Sequence, residues 1–301
     1  MVYVKPTSDI FIKYLFGREE DKGLLLNFVN SVQENMNFPF IKDIELKNTF
    51  NIKNLALDKE SVLDIKAVSE TGEIYNIEVQ TSGDNIFRHR SLYYWSRLYS
   101  SQLKEGEIYG SLCPVICINI LDFHLFKETG RYHLCFMLRE FSDPELFLSD
   151  HLVMHYLELP ELKGYNKGKQ LEKWLYYLKN EGKTEGDEAM RILLKENPEI
   201  NKAHDKYVAF TRDEELLDAY EAHMKWQRDY NSGIESARRE GEKKGIRIGE
   251  ERGRQEGRQE GLEKGQYLAQ LAMAEKMLKK GYDIETVSEF TQIPVSDLKK
   301  I

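Results

Sequence analysis

Two carboxylates, Asp64 and Glu78, are placed by their spacing to face each other across one hairpin, SVLDIKAVSETGEIYNIEVQT over residues 61–81. The runs VLDIKAVS and EIYNIEVQ alternate and are rich in β-branched residues, so each reads as a strand. Between them lies Glu70-Thr71-Gly72, and a three-residue hairpin loop favours glycine at its left-handed position. That loop sets Asp64 opposite Glu78, Lys66 opposite Asn76 and Val62 opposite Gln80. Side chains alternate, so Asp64, Lys66, Glu78 and Gln80 share one face, and Leu63, Ile65, Ile77 and Val79 share the other. Directly opposed Cβ atoms stand roughly 4.5–5.5 Å apart, where like charges repel. A hard divalent cation such as Mg²⁺ removes that repulsion by taking carboxylate oxygens, so the pair predicts a metal site. Spacing alone leaves open the plainer reading, a surface salt-bridge ladder with Lys66 and neighbouring lysines.

The elements around the hairpin follow from the same patterns. Residues 7–34 read as helical, with Thr7, Ser8 or Asp9 as cap and Gly17 separating two helices. Residues 43–54 read as a strand leading to the hairpin. After it, Asp84 is a good cap for a helix running to about Leu103. Strands follow at CPVICINILDF (113–123), YHLCFMLRE (132–140) and HLVMHYLEL (151–159). This order describes an α/β or α+β core with a mixed sheet flanked by helices. On the helix after the hairpin, Arg90, Tyr94, Arg97, Ser101 and Lys104 recur at three-to-four spacing, and Arg88 and His89 lie at its start. Arginine interleaved with tyrosine suits a phosphate backbone and unstacked bases, and an exposed polar helix face reads equally well.

Charge and composition narrow the function classes. The chain has 301 residues, 41% hydrophobic and 31% charged, with a net charge of −8. It is not a basic nucleic-acid coat, and contact with a polyanion must come through a local patch or a metal. Cys113, Cys117 and Cys135 lie in apolar surroundings and read as reduced, buried thiols. No apolar run reaches the length of a membrane span and the N-terminus lacks a signal-peptide pattern, so the expectation is a soluble cytoplasmic protein with no membrane partner. His151 and His155 form an HxxxH in an alternating strand and lack the glutamate of a zincin. No nucleophile elbow, Walker loop or dinucleotide fingerprint is present, which removes serine hydrolase, NTPase and dehydrogenase readings.

Four segments are expected: a core over 1–165, a helical extension packed on it over 166–232, a repeat over 233–265, and a small helical cap over 266–301. Lys179–Asp187 and Gly233 read as helix breaks. In the repeat, glycines fall at 241, 245, 249, 253, 257, 261 and 265. Seven glycines inside a helix cost on the order of 5–7 kcal/mol relative to alanine, which predicts either a flexible tether or a helix whose glycines admit a partner in a homo-oligomer. Beyond it, Gly281 reads as a stop and Asp283 as the cap of a short helix.

An aspartate on one strand followed by Glu-x-Gln on the next resembles the PD-(D/E)xK nuclease superfamily. More narrowly, the chain resembles the Rpn family of recombination-promoting nucleases, also described as transposases. The stretches that carry the likeness are SDIFIKYLFG, LDIKAVSETGEIYNIEVQ, RHRSLYYWSRLYSSQLKEGEIYGSLCPVICINILDF, LELPEL, LEKWLYYL, the glycine-repeat tail and DIETVSEFTQIPVSDLKKI. The resemblance implies a restriction-endonuclease-like fold and Mg²⁺- or Mn²⁺-dependent endonucleolytic cleavage of DNA, in recombination or in defence against mobile elements and phage. It implies Asp64 and Glu78 as metal ligands, Gln80 at the usual lysine position and Asp9 as an additional acid. Glutamine departs from the family pattern, because an amide supplies no positive charge. Lys66 or Lys13 is expected to replace it, with Arg88, Arg90, Arg97 and Lys13 as DNA contacts. The alternatives are a non-catalytic DNA-binding or interaction protein on a nuclease fold, and a strand-transferring transposase.

Overall fold

A computed structural model describes residues 3–48, 65–83, 85–127, 129–183 and 186–300. The chain divides into two compact units, Met1–Met224 and Lys225–Ile301.

The first unit is built on a mixed sheet. Its strands are β1 (Ile44–Leu46), β2 (Ile65–Ser69), β3 (Ile74–Gln80), β4 (Val115–Leu121), β5 (His133–Arg139) and β6 (Phe147–Glu158), in spatial order β1-β2-β3-β4-β6-β5. β1, β2 and β3 pair antiparallel, β3, β4 and β6 run parallel, and β5 closes the far edge antiparallel to β6. The expected hairpin register holds over the described residues: Ile65 faces Ile77 and Lys66 faces Asn76. Gly72 has φ +93°, the left-handed conformation that the three-residue loop requires, and its N–H donates to Ser69 O at 3.0 Å. Val62, Leu63, Asp64 and Asp84, the residue expected to cap the next helix, lie outside the described residues.

One sheet face carries the larger core. Ile65, Ala67, Tyr75, Ile77 and Val79 pack there with Ile116, Ile118 and Ile120. It is covered by α1 (Asp9–Phe16), α2 (Lys22–Asn35), α4 (Gln170–Asn180), α5 (Glu188–Glu196) and α6 (Pro198–Phe210). α1 forms where Ser8 accepts a hydrogen bond from Phe11 N, the expected cap, and ends at Gly17. α4 buries Leu171, Trp174, Leu175 and Leu178, one stripe at helical spacing. Trp174 meets Phe16 and Phe28 at 5.4 and 5.9 Å between ring centroids. Burying side chains of this size stabilises by roughly 2–3 kcal/mol each.

The opposite face is covered by α3 (Ile86–Ser100), the helix expected after the hairpin. Phe87 packs there with Leu121, Met154 and Tyr156, and Trp95 donates its ring N–H to Val115 O at 3.1 Å. β3 is therefore buried on both faces, as central strands of parallel ladders are. β6 is longer than expected. Its first residues, Phe147–Asp150, pair back onto β5 across a bulge, where the sequence suggested a connecting loop.

The helix α7 spans Glu214–Lys279, and its later part belongs to the second unit. It runs without interruption through Gly233 and the glycine repeat, where the sequence suggested a break and allowed a tether. Exposed i,i+4 pairs such as Arg239–Glu235 and Arg252–Glu256, both 3.0 Å, add modest support along it. Gly281 (φ +87°) stops the helix as expected. α8 (Ile284–Thr291) starts at Asp283, which accepts from Thr286 N at 2.8 Å, and α9 (Val295–Leu298) follows. Ala274, Val287, Ile293 and Leu298 form this unit's own core. Among the described residues no helix is long and apolar enough to cross a membrane.

Candidate active site

β3 carries Glu78 and Gln80 on the α3 face, two residues apart and hence side by side. Glu78 is only 6% exposed. It lies next to Asn119 of β4 in the parallel ladder, and Asn119 in turn lies next to Tyr156 of β6. Asn119 donates from Nδ2 to His155 O at 3.0 Å, which ties this row of the sheet to β6.

Gln80 bridges two charges. Its Nε2 donates to Glu78 Oε1 at 2.7 Å, and its Oε1 accepts from Arg90 Nη2 at 2.6 Å. The amide is thus oriented from both ends, with its donor on the carboxylate and its acceptor on the guanidinium. Arg90 is exposed and also lies 5.0 Å from the centre of the Phe87 ring, which anchors α3 in the smaller core. The helix places Arg90 here because Phe87 and Ser91 face the sheet while Arg90 stands at its rim. Ser91 pairs with the Tyr156 hydroxyl at 2.7 Å. Burial raises the pKa of that phenol, and the nearby Glu78 raises it further, so Tyr156 stays neutral.

The other sequence candidates are placed as follows. Asp64 lies outside the described residues. Lys66 is half-buried on β2, with its N–H on Asn48 Oδ1 at 2.7 Å. Asp9 opens α1 and its carboxylate is 3.5 Å from His223 Nε2. Lys13 lies one turn further along the same helix. Arg88 donates to Leu125 O and lies 4.4 Å from the centre of the Phe126 ring. Arg97 is exposed, 6.0 Å from the centre of the Tyr93 ring. Direct hydrogen bonds therefore join Glu78, Gln80 and Arg90, while Arg88 is engaged with the loop after β4.

The sequence named Arg90 as a DNA contact and looked to Lys66 or Lys13 for the charge missing at Gln80. The link between Arg90 and Gln80 joins a strand to the following helix, and periodicity within either element does not reveal it. His151 and His155 do not act together: His151 contacts Tyr99, and His155 is fully buried against His133 at 3.0 Å.

Of the two expected metal ligands, only Glu78 lies among the described residues. Glu78 offers hard carboxylate oxygens, and its burial makes a cationic partner favourable. Comparison with family models matches residues 6–237 to the family described as PD-(D/E)XK nuclease family transposase. Comparison with curated proteins and with solved structures finds no match.

Proposed function

Because the chain belongs to the PD-(D/E)XK nuclease family transposases, we propose that it is a metal-dependent endonuclease hydrolysing phosphodiester bonds in DNA. The observation that carries this reading is the Glu78–Gln80–Arg90 chain of hydrogen bonds on the central strand. Glu78, with Asp64, would hold Mg²⁺ or Mn²⁺. Such an ion supplies an acidified water and Lewis acidity at the phosphoryl oxygens.

This chain's own residues do the rest. Gln80 fixes the Glu78 carboxylate through its amide N–H. Arg90 fixes Gln80 and brings the positive charge that the glutamine lacks. A guanidinium has five N–H donors, so Arg90 retains donors for a phosphate oxygen after it engages Gln80. Exposed Arg97 extends the basic stripe along the same helix. The charge expected from Lys66 or Lys13 comes instead from Arg90.

A second reading is favoured by one observation. The amide donor of Gln80 occupies a Glu78 oxygen, as it would in a binding protein that keeps the fold without the chemistry. Nicking of supercoiled plasmid separates the two. The nuclease reading predicts nicking with Mg²⁺ or Mn²⁺ that EDTA abolishes, and intact plasmid under all metal conditions contradicts it.

We also propose that the protein is cytoplasmic and self-associates through the second unit. A Cβ added at any glycine from 241 to 265 in the repeat meets nothing within 4 Å, so the chain's own packing does not require these glycines. A close-packed helix of a second copy does give them a use.

A further inference from the structure

Glu158 ends β6 and is fully buried. Its Oε1 accepts two backbone N–H groups, from Leu125 at 3.0 Å and Phe126 at 2.8 Å. Its Oε2 is buried with no hydrogen-bond partner among the described residues. A buried carboxylate oxygen left this way is unfavourable unless a partner reaches it. Beside it, His124 Nδ1 lies 2.8 Å from Glu161 Oε1. His124, Glu158 and Glu161 each bring one donor atom to within 4.8 Å of the other two. The neighbouring ammonium of Lys179 is directed to backbone oxygens, at 2.6 Å from Leu162 O and 3.4 Å from Pro160 O.

We propose that His124, Glu158 and Glu161 form a second divalent-cation site, of the Zn²⁺ class, distinct from Glu78. One imidazole and two carboxylates are a mixed N/O set, which suits a borderline first-row cation better than Mg²⁺, whose preference is for oxygen alone. Donors bound to one Zn²⁺ at about 2.1 Å stand roughly 3.4 Å apart, so the His124–Glu161 pair, now at 2.8 Å, opens slightly and no pair closes by more than about 1.4 Å. The His124 side chain is 46% exposed, which gives the ion a path from solvent and the ring freedom to turn. Glu158 Oε1 keeps its two backbone donors, leaving Oε2 for the ion. The ion joins three pieces of chain: the loop after β4, the end of β6 and the 3-10 turn Leu159–Glu161. The same loop supplies Leu125 O to Arg88 at the start of α3.

The site is tested by titrating chelator-stripped full-length protein with Zn²⁺ in a calorimeter. Wild type and Glu78→Ala are expected to take up one ion at this site. His124→Ala and Glu161→Gln, both at partly exposed positions, are expected to lose it or to bind at least about tenfold more weakly. Zn²⁺ should also raise the melting temperature of Glu78→Ala and leave that of the double variant Glu78→Ala/His124→Ala unchanged, with circular dichroism confirming that each variant is folded. Uptake unchanged in His124→Ala and Glu161→Gln overturns the proposal. So does a wild type that binds no Zn²⁺, or a site that disappears in Glu78→Ala.

Discussion

Arg90 of α3 donates from Nη2 to Gln80 Oε1 of β3 at 2.6 Å, and the same amide donates onward to Glu78. A charge on a helix is thereby coupled through a neutral side chain to a carboxylate on a strand. In the proposed nuclease this coupling stands in for the lysine at the third motif position. It yields a specific ranking of variants. Arg90→Ala should lower plasmid cleavage about tenfold to hundredfold, the value of one hydrogen bond to a charged group. Arg90→Lys should retain more activity, because it keeps the charge and loses only the fork geometry. Equal loss in both variants would show that charge is not what Arg90 provides.

Lys66→Ala and Lys13→Ala are the complementary pair. With Arg90 filling the role, each should leave the cleavage rate within about threefold of wild type, less than one such hydrogen bond is worth. A loss above tenfold in either would move the missing charge to that lysine.

The buried pair His133 and His155 predicts how stability depends on pH. His133 Nδ1 lies 2.7 Å from Asn35 Oδ1, and its Nε2 is 3.0 Å from His155 Nδ1. Burial pushes His133 down from 6.5 to about 4 and lowers His155 as well. The unfolded chain therefore takes up protons near the ordinary value, while the folded chain does so only at lower pH. Stability should be full above about pH 6.5 and fall as pH drops towards 4, by on the order of 3 kcal/mol for His133. His204 acts in the opposite sense. Its hydrogen bond to Glu181 raises its pKa, so its contribution is present at low pH and fades as pH rises through the raised value. Denaturant midpoints measured at pH 7.5, 6, 5 and 4.5 test the balance. The midpoint should decline with acid, and less so in His133→Gln. A flat profile would contradict this assignment.

The glycine repeat gives a prediction in which helix stability and association move apart. Replacing Gly245, Gly253 and Gly261 together by alanine meets no steric obstacle within the chain. Helicity should rise, at about 1 kcal/mol per site. Mass by light scattering should fall, because the added methyl groups hold a partner helix away. Unchanged mass would leave the glycines without a role in self-association.

Much of the fold was legible from local pattern. The hairpin register, Gly72 in its loop, the Ser8 and Asp283 caps and the stop at Gly281 each depend on neighbours a few residues away. The glycine repeat was less so, since glycine content argued against the continuous helix that runs through it. In the candidate site, Glu78 and Gln80 stood out by their spacing on one strand. Arg90 reaches Gln80 only after α3 folds back over the sheet, a tertiary event that neither segment encodes alone. Glu158 carried a quieter signal: the one carboxylate in the largely apolar run HLVMHYLEL. Its partner His124 follows a different strand, and only the parallel pairing of β4 with β6 brings the two strand ends together.

The most direct test of the central claim compares wild type with Glu78→Ala in nicking supercoiled plasmid, with Mg²⁺ and with EDTA. A metal-dependent nuclease shows Mg²⁺-dependent nicking by wild type, abolished by EDTA and reduced at least about hundredfold in Glu78→Ala, the scale on which electrostatic groups act in catalysis. Equal nicking by both proteins, insensitive to EDTA, would contradict it.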